Sequence, residues 1–236
     1  MSVTGPHEVA AALAGGADII DAKDPREGAL GAVTPEVLRA VERALPPEAP
    51  LSLALGDVAD ADRLDRLLDA LAPAPRPGGT FTKVGFLGLG DPARVEDLAA
   101  RAVERSGGPV VLAAYAEGEA IGCMPVAAWP EIAARAGARG VLVDTADKRG
   151  PGLFGWLRPG EVTALIEEAH GFGLFVALAG RLSPIDAARV AELGADIVGV
   201  RGAACEGGRL GVVSEARVRE LAWRVAQRAG TAGQSA

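Results

Sequence analysis

Short apolar runs alternate along the chain with Ala-rich amphipathic stretches, and a glycine or a polar loop separates one from the next. The runs are almost continuously apolar instead of alternating with polar residues, a pattern typical of strands that are covered on both faces. Seven runs are predicted as strands: residues 17–21, 51–55, 81–84, 110–114, 141–143, 174–179 and 197–200. A two-residue run at positions 2–3 is a candidate for an eighth strand.

The stretches between these runs begin with helix start signals. Thr34, Asp91 and Ser183 each stand directly before a proline, and Ser214 stands before a glutamate. A capping oxygen followed by proline is favoured at the first turn of a helix. Strands that alternate with helices predict an α/β fold, and eight such units in 236 residues match the size of a TIM (β/α)8 barrel. We therefore predict a single-domain TIM barrel over residues 1–229.

An open, doubly wound sheet has the same alternation and is the rival architecture. The chain lacks the Gly-x-Gly-x-x-Gly fingerprint of such folds after its first predicted strand, and the nearest look-alike, at 85–90, has the wrong spacing. No long linker interrupts the repeat, which favours one domain. The small and polar residues 230–236 are predicted to form a disordered tail.

Composition limits the classes of partner that the protein is expected to bind. The 31 acidic and 24 basic side chains give a net charge of -7, the reverse of the charge that nucleic acids select. No apolar run reaches the roughly 20 residues that span a bilayer, and the first residues lack the pattern of a secretory signal. We therefore expect a cytoplasmic protein with no nucleic-acid or membrane partner. Apolar positions on the last predicted helix, within 215–225, could pack against a second copy in a homo-oligomer.

Metal and disulfide chemistry find little support in the sequence. Cys123 and Cys205 lie far apart without paired spacing, and His7 and His170 are the only histidines. We interpret both cysteines as small buried hydrophobic residues. No metal, no organic cofactor and no His-based triad are therefore expected.

Lysine is the scarce basic residue of this chain, with three copies beside 21 arginines. Lys23, Lys83 and Lys148 all fall at the ends of predicted strands or in the loops that follow, where barrel enzymes carry their chemistry. Arginine cannot replace lysine where an amine must lose its proton and act as a nucleophile. Lowering a lysine pKa to about 7 requires roughly 4.6 kcal/mol, part of which a second ammonium supplies. The three lysines indicate a Schiff-base site, and simple ion pairs with aspartates are the alternative.

Two carboxylates accompany these amines. Asp21 ends one predicted strand and Asp144 ends another, and each is followed by a lysine within four residues. Because side chains two residues apart lie on the same face of a strand, Asp21 and Lys23 should point together into the barrel mouth. A carboxylate beside an amine can move protons during a reaction. A buried ion pair that fixes the end of the barrel is the alternative.

Small residues dominate the loops after the last two predicted strands. Gly180 follows one strand, and Arg201, Gly202 and Ala203 follow the other. Small residues let backbone N–H groups approach an anion, and these loops form the usual phosphate site of TIM barrels. We predict that these four residues bind phosphate, although glycines at ordinary turns would leave the same pattern.

Several segments carry a specific likeness. Gly-Gly-Ala-Asp-Ile-Ile-Asp-Ala-Lys-Asp-Pro fills 15–25 and Glu-Gly-Ala-Leu-Gly-Ala fills 27–32, and the likeness continues at 83–85, 144–146, 177–180 and 196–205. Together these segments resemble the (5-formylfuran-3-yl)methyl phosphate synthase family over nearly the whole chain. The resemblance implies a TIM-barrel lyase that makes the furan precursor of methanofuran from two molecules of glyceraldehyde 3-phosphate.

The resemblance also implies roles for the polar residues. Lys23 would form the Schiff base and Lys83 would accept the proton, with Asp21, Asp144 and Lys148 assisting. Two other readings of the sequence stay open. One is another sugar-phosphate barrel enzyme, an aldolase, an epimerase or a decarboxylase, and the other is a non-catalytic barrel that binds a phosphorylated ligand.

Overall fold

The computed structural model describes residues 1–232, and eight strands of that part of the chain form one parallel sheet. The strands are β1 (Ser2–Val3), β2 (Ile20–Ala22), β3 (Leu51–Asp57), β4 (Thr80–Gly85), β5 (Val110–Tyr115), β6 (Gly140–Asp144), β7 (Phe175–Leu178) and β8 (Ile197–Val198). Each strand pairs with the next one along the chain, from β1 to β8. The predicted TIM barrel and its eighth, two-residue strand are therefore confirmed.

Helices occupy the connections between these strands. They are α1 (Val9–Ala14), α2 (Pro35–Ala44), α3 (Ala61–Ala70), α4 (Pro92–Ser106), α5 (Trp129–Ala136), α6 (Leu153–Trp156), α7 (Pro159–Gly171), α8 (Pro184–Glu192) and α9 (Glu215–Ala232). The side chains of Thr34, Asp91 and Ser183 accept backbone hydrogen bonds in the first turns of α2, α4 and α8, as the start signals predict. Within the described residues, no helix combines the length and the apolar character needed to cross a membrane.

Contacts between the first and last strands close the ring. The backbone N–H of Ser2 donates to the Val200 carbonyl at 3.1 Å. Arg201, just beyond, donates from its Nη1 to the Ser2 carbonyl at 3.0 Å. The same guanidinium forms a buried ion pair with Glu8, which lies in the short turn after β1. Backbone and side-chain bonds from both termini of the sheet therefore hold two very short strands together.

Two separate apolar layers pack against the sheet. The larger layer lies between the strands and the helices, and the smaller one fills the inside of the barrel. Phe81 and Phe175 meet edge to face inside the barrel, with ring centroids 5.6 Å apart, and Val111 and Leu142 belong to the same layer. Strand alternation places these residues toward the amino-terminal ends, so they form an apolar floor below the polar mouth.

Most boundaries differ from the sequence predictions by one or two residues, and two differ by three residues. β2 begins at Ile20 instead of residue 17, because the Ala17 amide bonds back to the Ala12 carbonyl and closes the end of α1. The last helix continues to Ala232, beyond the predicted domain end at 229, and no proline interrupts it. Positions 233–236 of the predicted tail lie outside the described residues. Both cysteines are buried and free, which confirms their interpretation.

Candidate active site

Asp21 and Lys23 share the inner face of the barrel at the end of β2. Asp21 lies opposite Ser2 of β1 and Ser52 of β3 in the parallel register. Lys23 follows two positions later, so its side chain points to the same side as Asp21. Both side chains are buried and line one cavity, as the sequence predicts.

Lys83 reaches Asp21 from β4. Its Nζ donates to Asp21 Oδ1 at 2.5 Å, while Ser2 Oγ donates to Asp21 Oδ2 at 2.8 Å. Each carboxylate oxygen therefore has a buried hydrogen-bond donor. This arrangement fixes the position of Asp21 and aims the Lys83 amine into the barrel.

Asp144 forms a second centre at the end of β6. Its Oδ1 accepts a hydrogen bond from Lys148 Nζ at 2.5 Å and another from the Thr145 backbone N–H at 2.8 Å. Its Oδ2 faces Lys23 Nζ at 3.7 Å, which is an ion pair beyond hydrogen-bond distance. Among the lysines of the described chain, Lys23 alone makes no hydrogen bond to a carboxylate. The Lys23 amine therefore lies close to a carboxylate but is not fixed by a hydrogen bond to it.

Burial and mutual repulsion act on the amines. Burial lowers the pKa of Lys83 below its ordinary value, repulsion from Lys23 lowers it further, and Asp21 opposes the change. Burial likewise lowers the pKa of Lys148, with repulsion from Lys23 adding to it and Asp144 opposing it. A lowered lysine pKa increases the fraction of neutral amine, which is the form that accepts a proton or attacks carbon.

The pKa values of the two carboxylates are lowered as well, but for a carboxylate this favours the charged form. Burial alone would raise the pKa of Asp21, but attraction to Lys83 and Lys23 outweighs it and holds the pKa below the ordinary range. For Asp144, burial is similarly outweighed by Lys148 and Lys23, and the pKa is lowered. The site therefore combines ionised carboxylates with amines that lose protons easily, which suits transfer of protons between carbon and oxygen.

All five predicted catalytic residues line a single cavity of about 430 Å³ at the mouth of the barrel. The predicted phosphate residues line it as well: Gly180, Arg201, Gly202 and Ala203. Apolar side chains from the barrel floor complete the wall. The lysines that the sequence places at strand ends thus face one another across a shared space.

Arg201 departs from the expectation for a phosphate ligand. Its guanidinium donates to both carboxylate oxygens of Glu8, to the Ser2 and Gly211 carbonyls, and through Nε to the Arg209 carbonyl. These bonds use all five N–H groups of the side chain. The side chain of Arg201 therefore closes the barrel, and only its backbone is available to the predicted phosphate site.

Glu117 is a buried residue that the sequence did not reveal. It follows β5, and its two carboxylate oxygens accept hydrogen bonds at 3.0 Å from the backbone N–H groups of Ala146 and Asp147. These amides belong to the loop that carries Lys148. Glu117 therefore anchors the segment that brings the Lys148 amine to Asp144.

Two arginines at the mouth were also missed. Arg181 lines the cavity with a left-handed backbone (φ 51°), directly after Gly180. Arg209 lines it from the turn that follows β8. Arginine is common in this chain, so composition gave no signal that these two differ from surface arginines. Within residues 1–232, no group of three or more His, Cys, Asp or Glu side chains is placed to hold a metal ion.

Comparison with known families accounts for this arrangement. The family model described as 4-HFC-P synthase matches residues 1–222 of the chain. The chain belongs to the 4-HFC-P synthase family. The match includes every predicted catalytic residue and the closing contact between Glu8 and Arg201, so the family assignment covers the whole site.

Curated relatives agree with membership of the 4-HFC-P synthase family. The (5-formylfuran-3-yl)methyl phosphate synthase of Methanopyrus kandleri is 40% identical over 222 residues, which cover 91% of this chain and 93% of that protein. The enzyme of the same name from Methanocaldococcus jannaschii is 37% identical and covers 91% of this chain and 94% of its own length. The predicted family resemblance is therefore confirmed.

Solved structures support the fold of this 4-HFC-P synthase family member. Phosphoribosyl anthranilate isomerase from Thermus thermophilus has a TM-score of 0.59 and 21% identity, with 95% of this chain and 96% of that chain covered. A 3-hexulose-6-phosphate synthase has a TM-score of 0.59 and 19% identity over the same shares of the two chains. At these identities the likeness concerns the fold alone.

Proposed function

We propose that this chain condenses two molecules of glyceraldehyde 3-phosphate into (5-formylfuran-3-yl)methyl phosphate, a precursor of methanofuran, and that it does so as a lyase through a Schiff base on Lys23. Family membership supports the product. The observation that carries the mechanism is the position of the Lys23 amine, 3.7 Å from Asp144 and within a cavity that two further lysines share.

The first step forms the Schiff base. One triose phosphate isomerises to its ketone form, and the neutral Lys23 amine attacks the ketone carbon. The resulting carbinolamine takes a proton on its hydroxyl group, loses water and leaves a positively charged iminium. The positive charge of the iminium makes its carbon open to attack by a carbon nucleophile.

The second triose phosphate loses the proton next to its aldehyde and then its phosphate, which leaves an enol with a nucleophilic terminal carbon. That carbon forms a bond with the iminium carbon, the iminium nitrogen takes the electron pair of its double bond, and the enol hydroxyl releases its proton and becomes a ketone. Lys83 is suited to carry these protons because burial lowers its pKa and Asp21 holds its amine in place at 2.5 Å. Removing such a proton carrier costs about 100-fold or more in rate.

Ring closure follows the loss of that phosphate: the free hydroxyl oxygen of the first triose adds to the new ketone, and the Lys23 amine and one molecule of water then leave as the ring becomes aromatic. Lys148 and Asp144 are suited to assist these eliminations, because one is a cation beside a leaving anion and the other is a carboxylate that stays ionised. Backbone N–H groups at Gly180, Arg201, Gly202 and Ala203 would hold a phosphate that stays bound.

Product analysis tests the proposed reaction. Glyceraldehyde 3-phosphate, free of contaminating isomerase, is incubated with the purified protein, and ultraviolet absorbance is followed. A furan aldehyde builds a conjugated chromophore, whereas an aldolase, epimerase or decarboxylase of a sugar phosphate does not. Absence of that chromophore with active protein would overturn the proposal.

Borohydride trapping tests the Schiff base directly. Reduction in the presence of triose phosphate should attach the substrate to the peptide that contains Lys23, and Lys23→Arg should abolish the labelling. Lys148→Arg is the matched control, since it makes the same substitution in the same cavity and should keep the label on Lys23. Labelling that persists in Lys23→Arg would refute the assignment.

A cytoplasmic location and a homo-oligomer stay predictions.

A further inference from the structure

Arg209 bridges two loops above the barrel mouth. It lies in a short turn between two small antiparallel strands, β9 (Cys205–Glu206) and β10 (Val212–Val213), which extend the loop after β8. Its Nη2 donates to the Gly28 carbonyl, in the loop after β2, at 2.6 Å. Because β1 stands between β8 and β2 in the ring, the side chain passes over β1 and enters the cavity wall.

The turn that carries Arg209 is built for close backbone approach. Gly207 and Gly208 both adopt left-handed backbone angles, with φ of 82° and 73°. A side-chain carbon on Gly211 would stand 1.7 Å from the Glu206 carbonyl oxygen, so only glycine fits there. This tight hairpin directs Arg209 toward the lysines instead of toward solvent.

The guanidinium of Arg209 has donors to spare. Of its five N–H groups, the one on Gly28 has an acceptor, and within residues 1–232 Arg209 forms no ion pair with a carboxylate. The Asp144 carboxylate attracts Arg209 more than any other carboxylate does. It is, however, already engaged by Lys148, Thr145 and Lys23. A half-buried cation without an anion is unfavourable, so this geometry suits an anionic ligand.

The charge balance of the cavity points the same way. Six basic side chains line it, against the two carboxylates of Asp21 and Asp144. Glu8 neutralises Arg201, which leaves an excess of three positive charges in a protein whose net charge is -7. Lys148 and Arg209 repel each other across this space, and the repulsion contributes to the lowered pKa of Lys148. A concave site of one sign concentrates ligands of the opposite sign.

We propose that Arg209, together with Lys148, forms a second anion subsite that binds the phosphate group of the second triose phosphate. Its ligand class is a phosphate monoester dianion, and the identity of that ligand rests on the proposed function. The first phosphate occupies the backbone site at Gly180 and Gly202. Two substrates that each carry a phosphate need two such sites. The excess of positive charges in the cavity compensates the negative charges of both phosphates.

Tungstate, a heavy mimic of phosphate, tests the subsite by position. Crystals of the unmodified protein soaked in tungstate should show two anomalous peaks in the cavity, one at Gly180 and Gly202 and one between Arg209 and Lys148. Arg209→Gln keeps a donor for the Gly28 carbonyl but removes the charge, and it should lose the second peak alone. Arg209→Lys keeps the charge and should keep both peaks. A single peak in the unmodified protein, or a second peak that survives in Arg209→Gln, would overturn the subsite.

Kinetics provide a readout that a merely structural role would not move. Arg209→Gln should raise the KM for triose phosphate by roughly 10- to 100-fold, the usual effect of losing a charged hydrogen bond. Trapping of the first triose on Lys23 should be unchanged, because its phosphate lies at the other site. Arg149→Gln makes the same substitution on a neighbouring exposed loop and should change neither. A KM that stays constant in Arg209→Gln, or a loss of trapping on Lys23 in that variant, would contradict the role.

The subsite and the proposed function can fail separately. If the unmodified protein forms no furan but the second tungstate peak depends on Arg209, the reaction is wrong and the anion subsite stands. If furan forms and the peak is absent or insensitive to Arg209, the subsite is wrong and the reaction stands.

Discussion

Lys83 Nζ lies 2.5 Å from Asp21 Oδ1 inside the barrel, and the pair joins β4 to β2 across the intervening β3. Ser2 occupies the other carboxylate oxygen, so Asp21 cannot turn away from the amine. The pair keeps a lysine whose pKa is lowered by burial in a fixed position in the cavity that it shares with the Schiff-base candidate Lys23. The proposed function assigns proton transfer and covalent attachment to different amines, and mutation can separate the two roles.

Replacing Lys83 should stop the reaction after attachment. In Lys83→Met, borohydride should still trap triose phosphate on Lys23, while furan formation falls by about 100-fold or more because the proton carrier is absent. Lys83→Arg keeps a cation for Asp21 but cannot give up a proton, and it should show the same loss. Mass spectrometry of the trapped peptide and ultraviolet absorbance measure the two effects. Normal furan formation in Lys83→Arg would contradict the role.

Asp21→Asn should shift the pH profile of the reaction. Asp21 raises the pKa of Lys83 against the lowering effects of burial and of Lys23. Without that negative charge the pKa falls further, so neutral Lys83 persists to lower pH. The acidic limb of kcat/KM should therefore move to lower pH in this variant, even where the maximal rate decreases. Asp147→Asn removes an exposed carboxylate and should leave the limb in place; a limb that moves to higher pH in Asp21→Asn would refute the coupling.

Glu117 should behave as a positioning residue. Glu117→Gln turns one acceptor into a donor that faces the N–H groups of Ala146 and Asp147, so the loop that carries Lys148 should shift. We expect furan formation to fall by roughly 10- to 100-fold, the scale of a misplaced catalytic group, with trapping on Lys23 retained. Glu119→Gln changes an exposed carboxylate two residues away and should have no effect. Equal activity of the two variants would exclude this role.

Glu8 should stabilise the closed barrel in a pH-dependent way. Burial alone raises the pKa of Glu8, but hydrogen bonds from Arg201 and Thr4 outweigh it and lower the pKa below its ordinary value of 4.5. The ion pair therefore contributes fully above that value and is lost as the pH falls through the folded-state pKa. Glu8→Gln should lower the free energy of unfolding by about 3–5 kcal/mol at neutral pH, since it leaves a buried charge unpaired.

Denaturant unfolding at several pH values measures this effect. The difference between the unmodified protein and Glu8→Gln should shrink as the pH falls from 4.5 through the lower folded-state pKa, because the carboxylate takes up a proton first in the unfolded state and then in the folded state. Glu161→Gln removes an exposed carboxylate from a surface ion pair with Arg158 and should change stability little. A difference that is constant across pH would show that the ion pair is not its source.

Sequence periodicity predicts part of this site and misses the rest for physical reasons. The shared face of Asp21 and Lys23 follows from alternation along one strand. The bond from Lys83 to Asp21 depends on the register between β2, β3 and β4, which no local pattern encodes. The fold itself was predictable because the strands of the barrel are apolar runs and four of the helices begin at a start signal.

Loops account for the residues that were missed or reinterpreted. Glu117 and Arg209 lie in loops after β5 and β8. Their positions depend on the path of those loops, which hydrophobic periodicity does not predict. Arg201 was predicted beside a phosphate, whereas its side chain is saturated by Glu8 and nearby carbonyls. Glu8 lies 193 residues away in the sequence, so no local pattern near position 201 indicates the ion pair.

The closing contact also governs when the protein becomes chemically competent during its own synthesis. Glu8 precedes Arg201 by 193 residues, and at about 5–20 residues per second a ribosome needs roughly 10–40 s to make the intervening chain. Once residue 83 has been added, the nascent polypeptide contains Lys23 and Lys83 but still lacks the last strand that completes the ring. The last strand must therefore have been made before cellular aldehydes meet these amines in a closed barrel.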